Sequence, residues 1–116
     1  DAHLIRNAGG IVTADVIRSL MISQRLLGTT EIILIQHDKC GLQDLAEEEF
    51  RAAVRADTGT EPDLPIGAFT DPAQSVRAGV KRIMESPLLP SGRNTRGFVF
   101  EHKTGRLREV TPAPGA

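Results

Sequence analysis

Apolar residues return along this chain at two different intervals. In TADVIRSLMISQRLLG, residues 13–28, Val16, Ile17, Leu20, Met21 and Leu27 recur every three or four positions, which sets them on one side of a helix. Thr13 is suited to cap that helix, Asp15 lies in its first turn and Gly28 ends it. In EIILIQH, residues 31–37, four aliphatic residues run consecutively, the mark of a buried strand. The shorter run AHLIRNAGG, residues 2–10, predicts another strand that ends in a glycine turn at Gly9 and Gly10. Strand, helix and strand in this order make a βαβ unit, with its two strands expected parallel in one sheet and joined by a right-handed crossover.

Further along, LQDLAEEEFRAAVRADTG (42–59) predicts a charged amphipathic helix stopped at Gly59, and the proline-bearing stretch 60–72 a loop. Residues 71–86 form a third expected helix, with Asp71 at its cap and Pro72 in first position. A turn-rich connector (87–97) leads to two short extended runs around Lys103, Thr104 and Gly105, a hairpin signal within 97–110. The fold class expected is α/β: a mainly parallel sheet flanked by helices, closed by a C-terminal hairpin. One domain is expected over residues 1–111, followed by a flexible tail at 112–116.

Composition narrows this picture. The 14 basic and 15 acidic residues of the 116 leave a net charge of −1, which gives no reason to expect nucleic acid or an anionic membrane as partner. No apolar run reaches the length of a membrane span. With four Phe and neither Trp nor Tyr, the core must be mostly aliphatic. A single cysteine excludes an internal disulfide framework and fits a reducing compartment, so a soluble, cytoplasmic protein is expected. The chain opens at Asp1, not Met, and enters an apolar run at once, so a missing upstream segment is expected.

The residues with chemical potential lie just past the aliphatic runs. In HDKCG, His37 and Cys40 stand at i and i+3, a spacing that lets imidazole and thiolate meet one cation, and their softness suits zinc. The bland alternative is a buried structural cysteine beside a surface histidine. A place at the carboxyl end of a strand favours the ligand reading, because open α/β sheets gather ligands there. The pair could also form a thiolate and imidazolium, but this spacing aims both groups at a common third atom. RNAGG is either a glycine-requiring turn or the wall of a narrow pocket formed by Ala8 and backbone N–H groups. His3 and His102 lack evident partners and read as ordinary surface histidines, and the acidic run 47–49 as a solvated helix face.

AHLIRNAGG, DVIRSLMISQRLLGTTEIILIQHDKCG and RGFVFEHKTGRLREV, in this order, resemble the β-class carbonic anhydrases, in particular the bacterial group with RNAGG and H-x-x-C-G. The likeness runs through nearly all of residues 1–111 and weakens across 60–70. It implies a zinc ion held by two cysteines and one histidine, with His37 and Cys40 as two of the three. The other cysteine would belong to an upstream C-x-D-x-R motif, which also carries an Asp–Arg dyad. These 116 residues contain no such motif. The family's sheet order, 2-1-3-4, puts the strand of that motif in the middle, so an N-terminally truncated domain with a gap in its sheet is expected.

The activity implied is reversible hydration of carbon dioxide to bicarbonate, in which zinc lowers the pKa of water from ~15.7 towards ~7. The Gly41 backbone N–H would contact substrate or hydroxide, while Ala8 and Gly9 would keep the pocket narrow. A homodimer or tetramer is implied as well. Two alternatives stand beside this reading: hydrolysis of carbonyl sulfide or carbon disulfide at the same zinc, and a non-catalytic carbonic-anhydrase-like zinc-binding or regulatory domain.

Overall fold

A computed structural model describes residues 2–110. After a single 3-10 turn at Ala8–Gly10, the elements are α1 (Ala14–Leu27), β1 (Ile32–His37), α2 (Glu47–Thr58), α3 (Pro72–Glu85), β2 (Thr95–Glu101) and β3 (Arg106–Val110). The expected tail at 112–116 lies outside the described residues.

Local sequence accounts for the helix ends. Thr13 Oγ1 accepts the Val16 N–H at 3.3 Å, and Asp15 sits in the first turn, where the helix dipole favours an acid. Gly28 closes α1 in the left-handed conformation, its N–H bonded to the Ser23 carbonyl. Asp71 Oδ1 accepts the Ala73 N–H at 3.0 Å, and Pro72 occupies a first-turn position of α3 that needs no donor.

Helix α3 buries Ala73, Val76, Gly79, Val80 and Ile83, a run at three- and four-residue intervals. Val76, Val80 and Ala73 pack with Val99 and Val110 of the sheet, while Ile83 joins Val12, Ile17, Ile32 and Leu89. Two glycines let helix and sheet close up. A Cβ at Gly97 would press on Val76 and come within 2.9 Å of Val80 Cγ2, and one at Gly79 within 2.6 Å of Leu34 Cδ2.

The sheet order is β1-β2-β3. β1 pairs parallel with β2, from Ile32 opposite Thr95 to His37 opposite Phe100, and β2 pairs antiparallel with β3. The α/β class and the terminal hairpin are as expected, with one parallel and one antiparallel pairing. The first predicted strand is not: residues 2–7 have no regular structure, and so the run does not join the sheet as a strand parallel to β1. An extended segment becomes a strand only when a neighbour takes its N–H and C=O groups. None of the described strands does so for this run, in line with the gap expected beside it. The second helix also starts later than expected, at Glu47, because 42–46 are taken up by turns and an isolated bridge between Gln43 and Phe69. No described helix is long and apolar enough to cross a membrane.

Candidate metal centre

β1 delivers His37 at its last position, and the chain then turns through Asp38 and Lys39 to Cys40. Lys39 takes the left-handed conformation, φ 56°, and its N–H is held by Gln43 Oε1 at 2.9 Å. The turn leaves the two candidate ligands in different surroundings. Cys40 is buried and free of any disulfide, and its Sγ accepts the Leu42 N–H at 3.5 Å. His37 is exposed, and its Nδ1 lies 2.7 Å from the Asp38 carbonyl oxygen. A carbonyl can only accept, so Nδ1 carries a proton, and in the neutral form of the ring the lone pair lies on Nε2.

In kind, these donors fit zinc: a thiol shielded from solvent and an imidazole with one nitrogen free to ligate. In number they are two. Among the described residues no group of three or more His, Cys, Asp or Glu side chains converges in a way that could hold a metal.

The glycine turn docks against the same strand end. Gln36, buried on β1, donates from Nε2 to the carbonyls of Gly9 (2.9 Å) and Gly10 (3.1 Å). Gly9 and Gly10 have φ of 81° and 62°, and a Cβ on either would collide, at 2.5 Å with Leu42 Cδ1 and at 2.8 Å with the Ile35 carbonyl oxygen. Gly9 therefore abuts the residue after Gly41, which is itself exposed with open space around its Cα. Ala8 lines a largely apolar cavity of about 390 Å³ together with Arg6, Asn7, Leu42, Phe50 and Ile66. Neither His37 nor Cys40 lines that cavity, so the structure brings Gly9 to the segment after Gly41 without enclosing both candidate ligands and Ala8 in one pocket.

Two histidines expected to be without partners have them. His3 Nδ1 lies 2.8 Å from Ser23 Oγ, which in turn bonds Thr29 Oγ1. His102 donates its backbone N–H (3.0 Å) and its ring Nδ1–H (2.9 Å) to Asp38 Oδ1. These bonds, the backbone one foremost, hold the Asp38 carboxyl below its ordinary range. Nothing in the spacing of Asp38 and His102, far apart in sequence, announces the pair. Gln36 was equally illegible, since an amide inside a strand reads only as an interruption.

No family model matches the chain. The chain is 47% identical over 112 residues to beta-carbonic anhydrase 1 of Mycobacterium tuberculosis, spanning 97% of this chain and 69% of that protein. The carbonic anhydrase structure from Streptococcus mutans superposes with a TM-score of 0.88 at 43% identity, over 96% of this chain and 68% of that one. A carbon disulfide hydrolase of Acidithiobacillus thiooxidans is more distant, 34% identical over 96% of this chain and 59% of its own length. These likenesses mark an enzyme of the carbonic anhydrase type. The chain belongs to the β-carbonic anhydrase family.

Proposed function

We propose that this chain carries two of the ligands, His37 and Cys40, of a zinc centre that serves the reversible hydration of carbon dioxide. The observation that carries this is the pairing at one strand end of a buried free thiol with an imidazole whose Nδ1 is already engaged. When bound, zinc would supply the Lewis acidity that brings water towards a pKa of ~7. Within the chain, Cys40 would give up its proton on ligation and His37 would offer Nε2. Gly41, which is exposed, would offer its backbone N–H to a substrate oxygen, and the close fit of Gly9 on Leu42 would keep that side narrow for a small molecule. Higher identity to carbonic anhydrase 1 than to the carbon disulfide hydrolase favours carbon dioxide over carbon disulfide.

The reading includes a homodimer or tetramer, supported by an apolar sheet face left open among the described residues: Ile33 is 61% and Leu107 51% exposed. A stable monomer in sedimentation at micromolar concentration would remove that part. The single cysteine supports a reducing compartment, the cytoplasm.

Metal titration of the purified chain tests the ligands. Cobalt used as a probe should give a thiolate charge-transfer band that zinc displaces, and the band should vanish in Cys40→Ser and weaken sharply in His37→Ala. Iron or manganese bound in stoichiometric amount, or metal binding indifferent to both substitutions, would contradict the assignment.

A further inference from the structure

Asp38 lies between the two candidate ligands, yet its N–H and its carboxylate are bonded elsewhere. Its backbone N–H donates to the Phe100 carbonyl at 3.1 Å, extending the β1–β2 ladder by one bond. One carboxylate oxygen takes both the backbone and the ring N–H of His102, at the start of the β2–β3 hairpin. Its carbonyl oxygen accepts the His37 Nδ1–H. The carbonyl shares its peptide plane with the Lys39 N–H, which Gln43 Oε1 holds at 2.9 Å, and Asp38 itself is pinned by its own N–H and its side chain, so the carbonyl has little freedom left to swing. At the other end of the hairpin, away from His102, Arg96 makes paired bonds to Glu109 at 2.9 and 2.8 Å.

We propose that Asp38 is a positioning residue: clamped to the hairpin by His102, it fixes the carbonyl that holds His37 as the Nδ1–H tautomer and so presents Nε2 for ligation. The metal half of this statement rests on the reading of His37 as a zinc ligand; the tautomer half does not. An outer partner that fixes a ligating histidine commonly sets its ring orientation, and removing one costs about 10–100-fold in metal affinity. Here the outer partner is a backbone carbonyl, aimed by the side chain of the same residue together with the bond from the Lys39 N–H to Gln43.

The test begins with the metal-free chain, by long-range proton–nitrogen correlation of the imidazole rings at a pH where all three histidines are neutral. His37 is expected as the Nδ1–H tautomer, against the ordinary preference of imidazole for Nε2–H. Asp38→Ala should return it towards Nε2–H, while Asp38→Asn, which keeps an acceptor for both His102 donors, should preserve Nδ1–H. Glu109→Gln loosens the hairpin without touching Asp38 and should leave His37 unchanged. Zinc affinity should follow the same order, falling about 10-fold or more in Asp38→Ala and recovering in Asp38→Asn. Retention of Nδ1–H in Asp38→Ala overturns the clamp. So does an equal shift in Glu109→Gln, or a shifted tautomer with unchanged zinc affinity. Zinc binding that survives His37→Ala would instead remove the ligand reading, with the tautomer result standing apart from it.

Discussion

Two aliphatic runs in this chain look alike and end differently. Ile32–His37 became β1, because β2 supplies a parallel ladder along its full length and α3 covers one of its faces. The run at 2–6 met neither condition: Leu4 is 77% and Ile5 42% exposed, and no strand forms. The contrast separates composition from context. Aliphatic side chains make a strand possible, while the neighbour that accepts its hydrogen bonds decides whether it exists. It also explains how the two turns are set. HDKCG is aimed by a strand end, whereas the glycine turn, with no strand before it, is held by one amide side chain from β1.

Truncating one apolar side chain on each side should separate the two runs most strongly. Ile83, 1% exposed, packs on Ile32, and Ile83→Ala should cost about 2–5 kcal/mol in denaturant unfolding. Leu4→Ala should stay within about 0.5 kcal/mol, as expected of a side chain that packs little. A comparable loss at both positions would mean that the first run is as well integrated as the second. Next in size is Gly97→Ala, where the new methyl meets the stiff, branched Val76 and Val80. A loss of about 1–3 kcal/mol is expected, measured the same way.

Much of the fold could be read before any coordinates, for physical reasons that differ by element. The helices α1 and α3 declare themselves through period and caps, both local properties. The hairpin declares itself through its turn. What stayed hidden depends on residues distant in sequence: the fate of residues 2–6, the Gln36 amide under the glycine turn, and the bond from Asp38 to His102. At the candidate centre, His37 and Cys40 were legible from chemistry and spacing. The residues that aim them were not, since a hydrogen bond across the sheet leaves no periodic trace.

Gln36→Ala addresses the glycine turn directly. It removes two hydrogen bonds and should cost about 1–2 kcal/mol. Amide exchange should speed up around residues 8–11 and leave the β1–β2 ladder protected. Equal acceleration in the ladder would show that the amide supports the strand more than the turn.

The smallest effect expected is one of pH on the hairpin. Arg96 holds the Glu109 carboxyl below its ordinary value of 4.5 by hydrogen bonding and charge. A group whose folded pKa is depressed contributes fully above its unfolded value, and the contribution fades as pH falls through the folded one. Exchange protection of β3 should therefore decline below about pH 4.5 in the native chain and change less in Glu109→Gln. An unchanged decline in the variant would assign it to other carboxyls.

In the proposed zinc site His37 and Cys40 are two of the ligands, and among the described residues no third His, Cys, Asp or Glu joins them. Stopped-flow carbon dioxide hydration with the zinc-loaded 116-residue chain tests this most directly, with and without a peptide bearing a C-x-D-x-R motif. Two protein donors leave half of a four-coordinate site to water. No appreciable activity is expected from the chain alone, and zinc retention and activity should rise together when the peptide completes the site. Zinc-dependent hydration by the chain alone, well above buffer and lost in His37→Ala, would contradict it.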